Sequence, residues 1–422
     1  MGFSGAQTGG MALGVCGMLL AFGCASAQSD IHAWETSSKR HTPLLPASRE
    51  LADMGTHEAF APSPKEGFVD PVSEAGQMAR GLYVTGPFMR RMRNPAPLLQ
   101  QLKRTASNAV VIDMKDDQGR VFFETAIEEL RPQQSRPYKT MPELVRRLRE
   151  KGVYIIGRLV CFSDPVLPRK HPERAVLDAR PHKHGAPWVS WGNGSTWLDP
   201  YNRANHQLIV RMAKEIAALG VDELQLDYIR FPVDPGTRIA MFPHASSEPR
   251  REVLRELLRE IDLAIPLPIS VDVFGLTAFR EGDPTGLGQS LEDWTEYVEI
   301  FSPMLYINNM KSWGRHLDQR RAFALVNAGI HRLRERLGPG PVLRPFLQAF
   351  SAGADYFNTG FIEEQVAAAR SGGADGYLFW HPASNYGTVA RTMRRKSSRE
   401  PFIATRRQEW RQRLWSPELA RR

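Results

Sequence analysis

The central part of the chain alternates short apolar runs with amphipathic stretches in a regular order. The apolar runs have the length and β-branched content of buried strands, and the stretches between them repeat apolar positions at helical spacing. The pattern predicts strands at residues 81–85, 108–115, 153–162, 223–231, 268–275, 299–306, 343–350 and 375–380. It predicts helices at residues 97–105, 142–151, 205–219, 249–264, 291–297, 319–337 and 361–371, with a last helix starting near Thr388.

Strict alternation of strands with helices favours a parallel sheet. Eight such units within residues 80–390 fit a (β/α)8 TIM barrel, which typically has about 250 residues before insertions. An open doubly wound sheet is the alternative. Against it, no G-x-G-x-x-G follows the first strand and no G-x-x-x-x-G-K-[ST] occurs in the chain. The sequence therefore predicts an α/β fold of the TIM-barrel class.

The N-terminal segment reads as a leader. Residues 1–27 contain an apolar stretch that ends in an A-x-A site before Gln28, which is typical of a signal peptide, although no Lys or Arg precedes Lys39. A second interpretation makes Cys24 a lipidated residue, but the residues before it fit a lipoprotein box poorly. Residues 28–79 are polar and proline-bearing and are predicted to be a linker. We expect an exported protein, periplasmic or secreted.

Composition adds little about the barrel and more about the C-terminal end. Hydrophobic residues make up 42% of the chain, as in ordinary globular proteins. The net charge is +9, and much of it lies in an Arg-rich tail at residues 391–422. Such a tail can bind an anionic polymer or a membrane surface, or be a solvated helix. Nucleic acid is not expected as the partner of an exported protein.

Cleavage of the leader would leave Cys161 as the one thiol, so no disulfide framework is predicted.

The strand at residues 223–231 contains the first candidate catalytic residue. Gln225 and Asp227 share one side of this strand, and Arg230 follows near its C-terminal end. In a barrel of parallel strands, this end is where catalytic residues lie. Asp227 is therefore predicted to be catalytic. The alternative is a buried acid that pairs with an Arg or Lys and only stabilises the fold.

Other strands also end in charged residues. Asp272 interrupts an otherwise apolar strand, and Asp113 precedes Lys115 by two positions, so those two would share a face or form an interior salt bridge. Asp116 begins a D-D-Q-G run that binds substrate or forms only a turn. Arg158 is predicted to orient a carboxylate, because a guanidinium does not deprotonate in proteins. Asp272 and Asp113 join Asp227 as candidate catalytic residues.

Carboxylates gathered in one mouth with basic, amide and aromatic side chains are what glycoside hydrolysis uses. Two carboxyl groups flank the scissile bond as the acid and as the nucleophile or base. Aromatic faces stack on sugar rings, and polar side chains bind sugar hydroxyls. The predicted substrate-binding residues are Lys115, Asp116, Arg158, Gln225, Tyr228, Arg230, Tyr306, Gln348 and Trp380.

A long insertion at residues 163–201 is rich in Trp and His. Its tryptophans form either a sugar platform or the core of the loop itself, and these are Trp188, Trp191 and Trp197. His182 and His184 have weak metal-like spacing without a third ligand, which favours a surface loop. No metal or cofactor motif is evident in the sequence.

Several motifs resemble a bacterial domain family described as "putative glycoside hydrolase", which is assigned a TIM-barrel domain related to the α-amylase-like glycosidases. The similarity runs from about residue 81 to residue 386, with the motifs in the family's order. They are NAVVIDMKDDQG at 108–119, DELQLDYIRFP at 222–232, DVFG at 272–275, Gly288-Gln289, SPMLY at 302–306, PFLQAF at 345–350 and DGYLFW at 375–380.

The resemblance implies a carbohydrate substrate. In α-amylase-like barrels an Asp at the end of the fourth strand is the nucleophile, which points to Asp227. The acid on the fifth strand is usually Glu, and Asp272 stands there instead, so the acid/base assignment stays open. The family often continues its sixth strand with Pro-Ser-His-Tyr, where this chain has residues 307–310, INNM. The expected function is a glycosidase. The alternatives are a non-hydrolytic carbohydrate-binding barrel and an envelope-associated structural protein.

Overall fold

The computed structural model describes residues 72–394, except 93, 184, 282, 284–285 and 311–319. The predicted signal peptide, His184, nearly all of the linker and most of the basic tail lie outside these residues. In the described part of the chain, no helix is both long and apolar enough to cross a membrane.

The strands close into a parallel barrel. In chain order they are β1 Arg80–Val84, β2 Ala109–Lys115, β3 Tyr154–Val160, β4 Leu177–Asp178, β5 Glu223–Asp227, β6 Ala240–Met241, β7 Ile269–Phe274, β8 Ile300–Met304, β9 Val342–Leu343, β10 Phe346–Gln348 and β11 Tyr377–Trp380. β4 and β6 form a separate antiparallel ribbon, and every other neighbouring pair is parallel. β11 pairs with β1 and β10 pairs with β8, so the sheet closes. The predicted (β/α)8 TIM barrel is confirmed.

Two strands differ from the predicted ranges for local reasons. The predicted strand 343–350 is split into β9 and β10 around Pro345, which has no N–H to donate to a neighbouring strand. The predicted strand 223–231 is too long, because β5 ends at Asp227 and Tyr228 takes a left-handed conformation with φ 51°. This turn directs the chain away from the sheet directly after Asp227.

Helices occupy the intervals between the barrel strands. They are α1 Glu74–Gln77, α2 Gly86–Arg91, α3 Ala96–Arg104, α4 Met141–Arg149, α5 Leu167–Lys170, α6 Arg203–Ala218, α7 Arg250–Asp262, α8 Leu291–Trp294, α9 Arg321–Leu337, α10 Thr359–Ser371 and α11 Gly387–Thr392. The start of α6 is fixed by Asn202, whose side chain accepts the N–H of Ala204. The N-terminus of α10 is capped in the same way by Asn358.

Successive side chains along each barrel strand point alternately outward to the helices and inward to the barrel interior, which gives two apolar cores. On β3, Ile155 and Leu159 join the large core between barrel and helices, whereas Ile156 lies in a smaller cluster inside the barrel. Buried ionic groups fill the N-terminal end of the interior, where Arg344 pairs with Glu223. Apolar packing therefore closes the middle of the barrel, and polar groups are left at its C-terminal mouth.

Candidate active site

Four adjacent barrel strands bring three carboxylates around one guanidinium. Asp113 lies on β2, Arg158 on β3, Asp227 at the end of β5 and Asp272 on β7. Arg158 Nη1 donates to Asp113 Oδ1 at 2.5 Å, and its Nη2 donates to Asp227 Oδ2 at 2.5 Å. Its Nε lies 3.7 Å from Asp272 Oδ2. All four side chains are nine-tenths or more buried.

Asp227 accepts hydrogen bonds on both of its carboxylate oxygens. Besides the bond from Nη2, Arg158 Nε donates to Asp227 Oδ2 at 3.1 Å. The backbone N–H of Tyr228 donates to the other oxygen, Oδ1, at 2.6 Å. Charged and backbone donors on both oxygens stabilise the negative form of a carboxyl group.

Asp272 has the opposite environment. Burial and the neighbouring Asp227 carboxylate raise the pKa of Asp272 well above its usual value, and the attraction of Arg158 lowers it by less. Its Oδ1 has no hydrogen-bond partner among the described residues. Burial without a hydrogen-bond partner favours the protonated form of a carboxyl group. Asp227 and Asp272 therefore have different surroundings although they border the same guanidinium.

Asp113 is the third carboxyl group of the cluster. Burial raises its pKa from 3.8 to about 7, against the opposing effect of Arg158. The hydroxyl of Tyr83 on β1 donates to Asp113 Oδ2 at 2.6 Å, and its ring lies under the Arg158 guanidinium. Tyr83 was not among the predicted site residues, although its position two residues before the end of a predicted strand was a usable signal.

Lys115 does not share the mouth with Asp113, contrary to the predicted common face. A register shift in β2 between these two residues turns Lys115 outward. Its Nζ pairs with Asp164 at 3.0 Å and donates to Val160 O at 3.1 Å, in full burial. The predicted alternative, a salt bridge between Asp113 and Lys115, is likewise replaced by the pair with Asp164.

The acidic run after β2 splits into two roles. Asp116 closes a turn, because its carboxylate accepts the N–H groups of Gln118 and Arg120 as well as the Arg120 guanidinium. Its predicted substrate contact stays a prediction. Asp117, which was not predicted as a site residue, is only partly buried. Burial and the charges of Asp116 and Asp227 raise its pKa, while Arg158 opposes them, so Asp117 faces the same cluster.

Two predicted substrate-binding amides already bond to protein groups. Gln348 accepts the N–H of Asn308 and donates to the carbonyls of Phe350 and Ala352, which ties two mouth loops together. Gln225 lies deeper in the barrel, 3.4 Å from Ser302 Oγ. The substrate-binding roles of these amides stay predictions.

Arg230 lies in an aromatic box rather than in the open mouth. Its guanidinium is 4.7 Å from the Trp197 ring centre, 5.1 Å from that of Tyr228 and 5.1 Å from that of Phe274. Cation–π contacts of this kind favour a fixed, desolvated cation. Arg230 therefore fixes the loop beside Asp227, and direct substrate binding by Arg230 or Tyr228 stays a prediction.

An aromatic wall stands at the strand ends that complete the mouth. Trp380 at the end of β11 packs near Tyr306, with ring centres 5.7 Å apart, and edge-on against Phe350 at 5.0 Å. It also stacks with Tyr83, the hydroxyl donor to Asp113, at 6.5 Å. The wall and the carboxylate cluster are thus joined through Tyr83.

The insertion after β3 contains the histidines and tryptophans singled out in the sequence. No group of three or more potential ligands of the His, Cys, Asp and Glu types is found among the described residues. His182 is exposed on a short turn. Within the insertion, Trp188 and Trp197 are fully buried and belong to the core of the loop, whereas Trp191 is exposed. The predicted alternative of a sugar platform is therefore left for Trp191 alone among these three.

Comparisons with known proteins agree with this architecture. Residues 81–386 match the model of a domain family described as "Putative glycosyl hydrolase domain". No curated protein matches the chain.

Among solved structures, a hypothetical protein from Ruminiclostridium thermocellum is 33% identical, with 46% of this chain and 97% of that chain covered and a TM-score of 0.40. The glycoside hydrolase domain of PgaB (BpsB) from Bordetella bronchiseptica is 14% identical, with 76% and 99% covered and a TM-score of 0.57. At that identity, the second match shows a shared fold.

Proposed function

Because the chain belongs to the family described as "Putative glycosyl hydrolase domain", we propose that it is a glycoside hydrolase that cleaves a polysaccharide or oligosaccharide. The observation that carries the proposal is the unequal pair at the mouth. Asp227 receives three donors, and Asp272 is buried with an unpartnered oxygen beside the same Arg158. Two carboxyl groups whose surroundings push their protonation apart are the arrangement that glycosidases require.

The proposed roles follow from these surroundings. Asp272 donates its proton to the glycosidic oxygen as the bond to the leaving sugar breaks. Asp227 attacks or stabilises the positive charge that develops at the anomeric carbon. Arg158 holds Asp227 in place, and Asp113 with Tyr83 holds the opposite side of the guanidinium. The wall of Trp380, Tyr306 and Phe350 offers apolar faces for a sugar ring.

The spacing of the two acids favours retention of anomeric configuration. Arg158 Nε is 3.1 Å from Asp227 Oδ2 and 3.7 Å from Asp272 Oδ2. A retaining glycosidase needs carboxyl groups about 5–5.5 Å apart, while an inverting one needs about 6.5–9.5 Å. Two oxygens at these distances from one nitrogen lie less than about 7 Å apart, a limit that contains the whole shorter range and only the edge of the longer one. Proton NMR of the first product should therefore show the anomer of the substrate, and the opposite anomer would reject retention.

The decisive experiment uses isosteric variants of the two carboxylates. The purified chain is incubated with bacterial and plant polysaccharides, and released reducing ends are measured for wild type, Asp227→Asn and Asp272→Asn. The matched control is Asp222→Asn, which lies at the opposite end of β5 and uses its carboxylate to accept the Ile155 N–H. We expect release by wild type and control, and loss of about 10²–10⁴-fold in the two variants.

Two other results would change the assignment. Loss in only one variant would keep the enzyme and direct attention to Asp113 as the missing partner. Sugar binding without release by any of the proteins would favour the non-hydrolytic carbohydrate-binding barrel, in which Arg158 and Asp227 form only a structural pair.

Export is a separate proposal that depends on residues 1–27. Their apolar stretch and A-x-A site support cleavage before Gln28. A fusion of residues 1–40 to a reporter that folds only outside the cytoplasm should be active and should lose the leader. Retention of the leader on an inactive reporter would reject export, and labelling of Cys24 by a lipid precursor would replace secretion with anchoring.

A further inference from the structure

Trp191 is unusual among the tryptophans of the insertion. The side chains of Trp188 and Trp197 are 0% exposed, whereas Trp191 is 65% exposed. Tryptophan is highly buried on average, because its indole carries a large apolar surface. An exposed indole offers a flat apolar face to a ligand, so Trp191 is a candidate binding residue.

The exposed ring is held in one orientation. A Cβ built on Gly236 would lie 2.8–3.0 Å from three atoms of the Trp191 indole, so one face of the ring lies against the Gly236 backbone. The backbone N–H of Trp191 donates to Pro235 O at 3.0 Å. On the same segment, Trp188 Nε1 donates to Gly236 O at 3.1 Å. The ring is therefore fixed before any ligand arrives, and its other face is open.

The segment beneath Trp191 is continuous with the mouth. Gly236 belongs to the loop that follows β5, and Asp234, two residues earlier, is 3.6 Å from Arg230. Arg230 in turn packs against Tyr228, which directly follows Asp227. The loop that supports the exposed indole therefore begins directly after the candidate nucleophile.

Exposed polar side chains lie on the two segments that carry Trp191 and Gly236. Asn193 lies two residues beyond Trp191, and Arg238 lies two residues beyond Gly236; both are exposed. Arg169 is also exposed, and it donates to Gly194 O at 3.3 Å, at the turn next to Trp191. An exposed apolar face with polar side chains on the same segments suits the two kinds of surface on a sugar ring, its C–H face and its equatorial hydroxyls.

We propose that Trp191 stacks on a pyranose ring of a polysaccharide that extends out of the barrel mouth, as a subsite remote from the scissile bond. The inference rests on the proposed function and narrows its substrate to a long carbohydrate chain. Binding to a ring that is already fixed loses little conformational entropy, so a single indole contributes usefully to affinity.

Binding without catalysis tests the subsite directly. The full chain carrying Asp227→Asn is run by affinity electrophoresis through gels that contain soluble starch, xylan, chitosan or dextran. Trp191→Ala and Trp191→Tyr are added to it, and Leu263→Ala, which truncates a 73% exposed side chain at the end of α7, is the matched control. We expect at least one polysaccharide to retard the parent and the control equally. Trp191→Ala should raise the dissociation constant about tenfold, and Trp191→Tyr should raise it less.

The outcomes separate this inference from the proposed function. Equal dissociation constants for parent and Trp191→Ala, or no retardation of either, would overturn the subsite even if the wild type hydrolyses the polymer. Trp191-dependent binding to a polymer that the wild type does not hydrolyse would keep the subsite and reject the glycosidase. Unchanged thermal melting of Trp191→Ala is required for the expected result to count as support.

Discussion

Arg158 is the residue on which the mouth depends most. Its guanidinium bonds to Asp113 and Asp227 and approaches Asp272, so one cation offsets three buried acids. Burial lowers the pKa of Arg158, but the surrounding carboxylates raise it by more. The net pKa is therefore above the usual value, and Arg158 stays charged. Removing one partner from a buried ionic group leaves the others uncompensated, which costs more than the interaction itself supplies.

Replacement of Arg158 by Met should therefore destabilise the protein by about 3–5 kcal/mol at neutral pH. The cost should shrink at acid pH, where the acids become neutral. Urea unfolding at both pH values measures it. The exposed Arg104→Met is the control and should change the free energy of unfolding by less than about 0.5 kcal/mol. Adding Asp113→Asn should recover part of the loss, and failure to do so would contradict the shared-cation account.

Asp113 makes stability depend on pH. Its pKa is raised in the folded state from 3.8 to about 7, so its stabilising contribution is complete below 3.8 and is lost as pH rises through about 7. Asp113→Asn has no proton to lose. As the pH rises from about 4 to about 8, the free energy of unfolding of this variant should therefore increase relative to that of the wild type. A constant difference across urea titrations in that range would show that Asp113 is ionised throughout.

At the scale of elements, the end of β2 determines which of its charged side chains faces the mouth. The register shift between Asp113 and Lys115 keeps the acid inside the barrel and sends the amine to Asp164, at the start of the insertion. Asp164 also accepts the N–H groups of Val166 and Leu167. The strand and the insertion that supports Trp191 are thereby locked together by a fully buried ion pair.

Lys115→Met should cost about 3–5 kcal/mol of unfolding free energy, since it leaves Asp164 charged and buried. The double variant Lys115→Met/Asp164→Asn should recover much of this, because the amide keeps an oxygen for the two N–H groups. Exposed Lys103→Met serves as control. If the single and double variants unfold at the same urea concentration, the pair has no stabilising role.

At the scale of the whole molecule, closure of the barrel ties the ends of the domain together. β11 pairs with β1, and the Tyr386 hydroxyl lies 2.6 Å from Tyr83 O and 3.0 Å from Phe379 O, across that seam. The mouth depends on the same seam, because Tyr83 on one side holds Asp113 and Trp380 on the other forms the aromatic wall.

Two C-terminal truncations test whether the stability of the domain depends on the pairing of β11 with β1. A chain that stops after residue 394 keeps all the described strand pairings and should melt as the full chain does. A chain that stops after residue 375 loses β11, exposes the edges of β1 and β10, and should aggregate or be digested by protease. Circular dichroism melting and limited proteolysis distinguish them. Equal resistance of both truncated chains would contradict the role of the seam.

Much of the architecture is already present in the sequence, because buried parallel strands and amphipathic helices have different periods along the chain. That periodicity predicted the barrel, and the acids at the strand ends identified Asp113, Asp227 and Asp272 as its charged centre. These features depend on neighbours in sequence, so the sequence alone could determine them.

Only the tertiary structure decided which of these residues face the mouth and what surrounds each of them. One register shift sends Lys115 out of the mouth, and one left-handed residue ends β5 at Asp227. Burial and the position of one guanidinium leave Asp227 with three donors and Asp272 with a raised pKa. Two of three tryptophans in one loop become core and the third becomes surface. Such outcomes depend on distances between strands and loops far apart in sequence, which no local pattern encodes.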